Sequence, residues 1–173
     1  NERRRQLAMV KPNDAHILIG KLESLYDVVV ITQNVDDLHE RGGSSKIIHL
    51  HGELTKACNE DKSLIYDIGY KDINIGDKAE DGTQLRPYIV WFGEEVPEME
   101  RAVKECANCD FFIVVGTSLN VYPAASLLYY VNKNSKKIYI DPNASKYFSG
   151  IRIIQEKATI GLRTIYEELK MGL

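Results

Sequence analysis

Cysteine is scarce, with three in 173 residues, and an odd number in a chain of this size argues against a disulfide framework and for a reducing compartment. Long apolar runs are missing as well. No stretch approaches the roughly 20 residues that span a bilayer, and the basic start NERRRQL is followed by neither an apolar core nor a cleavage site. The expectation is a cytoplasmic protein with no membrane partner. An excess of one charge is also absent: 22 basic against 25 acidic residues leave a formal −3, which gives no long-range attraction to nucleic acid. Repeats and low-complexity tracts are absent too. What is present, 44% hydrophobic and 27% charged residues, suits one soluble globular core.

Hydrophobic periodicity supplies the outline. Ala15, Leu18, Leu22 and Leu25, spaced by three and four after Pro12, predict a helix over 13–26. Val28-Val29-Val30-Ile31 is an unbroken β-branched run, the pattern of a strand buried on both faces of a parallel sheet, and Ile47-Ile48-His49-Leu50 resembles it. Residues 53–84 are polar, Gly- and Asp-rich and weakly periodic, and read as a small insertion between 1–52 and 85–173. Apolar runs return at 87–92, 111–115, 138–140 and 151–154, with helices expected over 98–107, 123–132 and 159–170. Such alternation predicts an α/β fold with an open, doubly wound parallel sheet.

In that class the ligand lies beyond the carboxyl ends of the strands, so polar residues directly after each apolar run are the candidates for function. These are Thr32-Gln33-Asn34-Val35-Asp36, His51-Gly52, Gly116-Thr117-Ser118 and Asp141-Pro142-Asn143. Amides, hydroxyls and a carboxylate at strand ends are the inventory of a nucleotide site, and Gly116 permits close backbone approach to a phosphate. The plain alternative is a strand-to-helix turn capped by Ser118. His51 is the candidate general base, because imidazole titrates near neutral pH, and the adjacent Gly52 clears space for a ligand. His49, two residues earlier, is its rival. Cys106 and Cys109 form a CxxC without a second pair, which fits a helix-end coincidence better than a zinc site or a redox pair.

Taken together, TQNVDDLHERGG at 32–43, IHLHGEL at 48–54, LRPYIVWFGEEVP at 85–97 and GTSLNVYPAA at 116–125 resemble the sirtuin family, and PNDAH at 12–16 extends the likeness over nearly the whole chain. The resemblance implies a Rossmann-like fold and an enzyme that consumes NAD to remove an acyl group from a protein lysine. It casts His51 as the base that deprotonates a ribose hydroxyl. Asn34 and Asp36 fall at the nicotinamide-ribose end with Gln33 beside them, and Gly116, Thr117 and Ser118 fall around the phosphates and adenosine ribose. Asp141 stands where the family often has Asn near the adenosine. Val90, Phe92, Gly93 and Glu94, with Leu119, Asn120 and Val121, match the two loops that hold the acyl-peptide as an added strand. ADP-ribosyl transfer, NAD hydrolysis or mere binding of nucleotide or acyl-peptide stay open as alternatives.

Two departures from the family matter, and one match belongs to a subclass of it. Of its zinc ligands only Cys58 is retained; Asp61, Lys78 and Asp81 take the other positions, and lysine cannot replace a thiolate, so the insertion is expected to be metal-free, with Tyr66, Tyr70, Ile73 and Ile75 as a substitute apolar cluster. The glycine-rich phosphate loop and first strand would precede Asn1, so the chain as written should bind NAD poorly. Arg3 aligns with an arginine that marks the subclass preferring succinyl or malonyl lysine, where a guanidinium clamps the distal carboxylate. A solvated basic helix start, shared with Arg4 and Arg5, is the other reading.

Overall fold

The computed structural model describes residues 1–144 and 150–172. Two helices come first, α1 (Glu2–Met9) and α2 (Asp14–Leu22). The second starts where predicted because the Asn13 side chain accepts from the amides of Ala15 and His16 at 2.9 and 3.3 Å, satisfying donors the first turn leaves free. Strand β1 (Val30–Thr32) is followed by the short α3 (Leu38–Arg41) and by β2 (Ile47–His49), which pairs with β1 in parallel. The predicted strand at 28–31 thus begins later. Val28 and Val29 pack into different apolar clusters, but only Val30 onward has ladder partners in β2.

The stretch read as a weakly periodic insertion contains β3 (Gly52–Cys58) and β4 (Ile65–Asp67), and with β5 (Arg86–Ile89) it forms an antiparallel sheet in the order β4-β3-β5. Neither strand is an apolar run: β3 reads GELTKAC with a half-buried middle and β4 reads IYD with exposed ends, which hides both from a search for apolar stretches. Helix α4 (Met99–Asn108) leads to β6 (Phe111–Val115). A 3₁₀ turn (Ala124–Ser126) runs into α5 (Leu127–Tyr130), and β7 (Lys136–Ile140), β8 (Arg152–Ile154) and α6 (Ala158–Lys170) complete the chain. Strands β6, β7 and β8 are parallel, in that order.

Period-2 alternation along β6 sorts its side chains to two faces: Phe111, Ile113 and Val115 join the cluster formed by α2 and α6, while Phe112 meets the cluster formed by α4 and α5. Helices therefore cover both faces, as a doubly wound α/β fold requires. Leu162, Ile165 and Leu169, at helical spacing on α6, are almost fully buried, each worth roughly 1.5–3 kcal/mol of transfer free energy. The sheet is not continuous, however. Among the described residues β1 pairs only with β2 and β6 only with β7, and between these edges lies a cavity of about 710 Å³ bordered by residues 28–34 and 111–117. No helix of the described residues is long and apolar enough to cross a membrane.

Candidate active site

Three parallel strands, β1, β6 and β7, end in the same local device. Thr32 Oγ1 accepts from the Asn34 amide at 3.0 Å after β1, Thr117 Oγ1 from the Leu119 amide at 3.2 Å after β6, and Asp141 Oδ1 from the Asn143 amide at 2.7 Å after β7. A side-chain acceptor that captures the amide two residues on competes with the ladder, ends the strand and folds the chain over its carboxyl edge. Gly116 (φ +62°) and Leu119 (φ +56°) are both left-handed in the β6 turn. For leucine this is stored strain of a kind that gathers at functional sites. A Cβ on Gly116 would meet nothing within 4 Å, so the backbone there faces open space.

The two histidines are separated by what their nitrogens touch. His49 Nε2 lies 2.7 Å from Glu40 Oε1 and its Nδ1 3.4 Å from the Asn34 carbonyl, so both ring nitrogens face acceptors, an arrangement that favours the imidazolium. Burial alone would lower its pKa, but the hydrogen bond and charge of Glu40 outweigh that and raise it. His51 has one such contact, Nδ1 to the Gln33 carbonyl at 3.2 Å. A carbonyl only accepts, so this contact favours the tautomer with the proton on Nδ1 and the lone pair on Nε2. Of the two, only His51 has the form of a base. Its own carbonyl accepts from the Val90 amide at 3.0 Å, which ties it to the end of β5.

Gly52, beside it, does not clear space for a ligand. Its φ of +77° and a Cβ that would fall 2.1 Å from the Tyr88 oxygen show that glycine is needed for β3 to pair with β5.

Gln33, Asn34, Gly116, Thr117 and Leu119 all border the one cavity. Ser118 is exposed beside them and outside its lining. Asp36 Oδ1 accepts from the Leu38 amide at 3.1 Å and so starts α3. Asp141 is brought alongside Gly116 by β7, since the Gly116 amide donates to the Ile140 carbonyl at 2.9 Å. The Tyr139 hydroxyl donates to the Thr117 carbonyl at 2.8 Å and braces the turn from below.

Phe92, Asn120 and Val121 are exposed and do not border the cavity, but the loops that carry them run into one apolar cluster, through Val96 and Ala124, with Ile48 and Leu50. Arg3 is exposed on α1 and likewise apart from the cavity. Its neighbours are committed: Arg4 is fully buried, with Nε on the Leu54 carbonyl at 2.5 Å, and Arg5 pairs with Asp72 at 3.1 Å. Arg3 alone of the three has no hydrogen-bond or ion-pair partner among the described residues.

The insertion offers zinc a poor donor set. Asp61 Oδ1 is held by the Ser63 amide and hydroxyl, and Asp81 Oδ1 by the Thr83 amide and hydroxyl. Burial pushes the Cys58 thiol up, away from the thiolate that zinc needs. The expected apolar cluster is not formed, because Ile75 is 102% and Tyr70 37% exposed. A hydrogen-bonded hub replaces it. Asn59, 1% exposed, donates from Nδ2 to Ser63 Oγ at 3.0 Å and Asp81 Oδ2 at 2.8 Å, and its Oδ1 accepts from the Leu64 amide at 3.0 Å. In the CxxC, burial pushes the Cys106 thiol up to about 12, and both cysteines lie at the end of α4, as the helix-end reading expects. Sequence patterning missed the Asn59 hub and the Glu40–His49 pair, since partners far apart in the chain leave no periodic trace.

The Sir2 family model matches residues 1–123. An NAD-dependent protein deacylase of Bacteroides thetaiotaomicron is 49% identical over 181 aligned residues, covering 100% of this chain and 76% of that protein. Among solved structures, a mutant Sir2 homologue in complex with ADP-ribose superposes with a TM-score of 0.88 at 34% identity, over 98% of this chain and 71% of the other. A Sir2 complex with a p53 peptide and NAD+ gives 0.80 at 31% identity, over 96% and 73%.

Proposed function

Since the chain belongs to the Sir2 family, we propose that the polar turns at the carboxyl ends of β1, β2 and β6 serve NAD-dependent removal of acyl groups from protein lysine side chains, yielding nicotinamide, 2′-O-acyl-ADP-ribose and free lysine. NAD is the co-substrate and supplies the ribose carbon to which the acyl oxygen is transferred. The observation that carries the reading is the His51 ring, whose Nδ1 faces the Gln33 carbonyl at 3.2 Å while its Nε2 has no hydrogen-bond partner among the described residues and can accept a ribose-hydroxyl proton.

Gln33, Asn34 and Asp36 offer amides and a carboxylate to the nicotinamide ribose, with Asn34 also orienting the reacting end. Gly116, Thr117 and Ser118 offer close backbone approach and hydroxyls to the phosphates and second ribose, and Asp141 reaches the adenosine end. Val90, Phe92, Gly93 and Glu94 form one side of the acyl-peptide groove and Leu119, Asn120 and Val121 the other. A peptide paired through its backbone gains affinity with little sequence demand. Full exposure of Phe92, with Val121 also exposed, is what an apolar rim awaiting a partner looks like. The uncommitted Arg3 favours an acidic acyl group such as succinyl, whose carboxylate a guanidinium can clamp in bidentate fashion.

The test uses the full-length protein with acetylated and succinylated peptides. 2′-O-Acyl-ADP-ribose forms in the unmodified enzyme, and His51→Ala lowers kcat about 10²- to 10⁴-fold. Arg3→Met selectively lowers kcat/KM for the succinyl peptide. Free ADP-ribose without acyl transfer would make the protein an NAD hydrolase, ADP-ribosylated protein would make it a transferase, and binding without turnover would make it a nucleotide or acyl-peptide binding module.

A further inference from the structure

Glu94 is the most heavily engaged carboxylate on the peptide side of the site. Lys62 Nζ donates to its Oε2 at 2.6 Å, Arg86 Nη2 reaches its two oxygens at 2.9 and 3.2 Å, and the Trp91 amide donates to Oε2 at 3.0 Å. The Glu94 amide in turn donates to the Trp91 carbonyl at 3.0 Å, closing the 91–94 turn from both ends. These donors, Lys62 first, hold the carboxylate down at about 2, so it is charged at any working pH. Arg86 belongs to β5, which leads directly into this turn. Lys62 comes from the turn between β3 and β4, inside the insertion.

Lys62 reaches across because of how its own turn is built. It is left-handed (φ +62°) and its amide lies 3.4 Å from the carbonyl of Asn59, the hub that ties 59–64 to 81–83. The hub therefore does within the insertion what a metal would do, cross-linking its two turns, and Lys62 is the point where the insertion touches the peptide loop. We propose that Lys62 is a positioning residue for the acyl-peptide: held by the Asn59 turn, its ammonium neutralises Glu94 Oε2 and fixes the 91–94 turn in the form that receives the peptide strand. This rests on the deacylase reading above and adds the insertion as a determinant of peptide affinity rather than of NAD binding.

The experiment is steady-state kinetics on the full-length enzyme, varying acyl-peptide and NAD separately, together with amide hydrogen exchange at Trp91. Lys62→Met raises the peptide KM about fivefold, as expected for one partly screened ion pair, and speeds Trp91 exchange by a similar factor. It leaves KM for NAD and exchange in β7 unchanged. Lys62→Arg restores both readouts, which a general loss of packing would not allow, and Lys62→Gln, which keeps a donor but no charge, is the second variant should Lys62→Met unfold. An unchanged peptide KM in a folded Lys62→Met enzyme, or equal rises in both KM values, overturns the positioning role alone. Absence of acyl-peptide-dependent nicotinamide release in the unmodified enzyme overturns the deacylase reading and this proposal together.

Discussion

Gly52 and Gly116 sit on the two sides of the candidate site with similar positive φ, +77° and +62°, yet their surroundings predict different penalties for alanine. A left-handed L-residue costs about 1–2 kcal/mol, and that charge applies to both. At Gly116 nothing lies within 4 Å of the new Cβ, so nothing is added. At Gly52 the Cβ would fall 2.1 Å from the Tyr88 oxygen, 2.9 Å from its carbonyl carbon and 3.0 Å from the Ile89 Cα, all backbone atoms that cannot rotate away. Relief requires β3 and β5 to part by roughly 1 Å, which breaks the bond from the Val90 amide to the His51 carbonyl, worth about 1 kcal/mol net. Gly52→Ala should therefore cost about 2–3 kcal/mol and Gly116→Ala about 1–2. At about 2–4 °C per kcal/mol for a chain of this size, the middle of each range means a Tm lower by about 8 °C and about 5 °C respectively. Thermal and urea unfolding of the full-length variants measures the difference. Gly52→Ala should also lower kcat, because His51 moves with the strand, whereas Gly116→Ala should raise KM for NAD and spare kcat. Equal destabilisation of the two variants would refute the argument from close approach.

The Glu40–His49 pair has a defined pH signature. His49 is raised by Glu40 despite burial, so its contribution is complete below about pH 6.5 and fades as pH climbs through the higher folded value. Burial pushes the Glu40 carboxyl up, but the bond from His49 outweighs this and lowers it, so the lower edge of the window lies in the acid range below the ordinary glutamate value. Unfolding free energies from urea titrations at pH 5.5 to 8.5 should fall by about 1 kcal/mol toward the alkaline end, less than a buried pair would give because the Glu40 carboxylate is exposed, and Glu40→Gln should flatten the profile. A wild-type profile that is already flat speaks against the imidazolium. For the insertion, metal analysis of the purified full-length protein should find less than about one zinc per ten chains, with Tm unmoved by a strong chelator. Stoichiometric zinc would contradict the Asn59 hub as the cross-link. Asn59→Ala should then destabilise, since the Leu64 amide and Ser63 hydroxyl lose their partner, for about 2 kcal/mol.

What the sequence alone determined is local: the α/β alternation, the start of α2 after Pro12, the placing of candidate polar residues at strand ends and, through motif order, the family. Asn13 before α2 and the Thr-x-Asn and Thr-x-Leu turns after β1 and β6 need only neighbours two or three residues away, so propensity and spacing carry them. Tertiary structure decided the rest. His49 and His51 are rivals two residues apart in the sequence, and the approach of Glu40 and of the Asn34 and Gln33 carbonyls favours the charged ring at one and leaves Nε2 of the other unpartnered among the described residues. Three adjacent arginines look alike until packing buries Arg4, pairs Arg5 and leaves Arg3 free. Gly52 read as room for a ligand until β5 came to lie against it, and the insertion read as an apolar cluster until Asn59 drew its two turns together. The physical reason is common to all four: charge state, tautomer and steric need depend on atoms within a few ångströms, and those atoms come from chain segments whose distance in sequence carries no periodic signal.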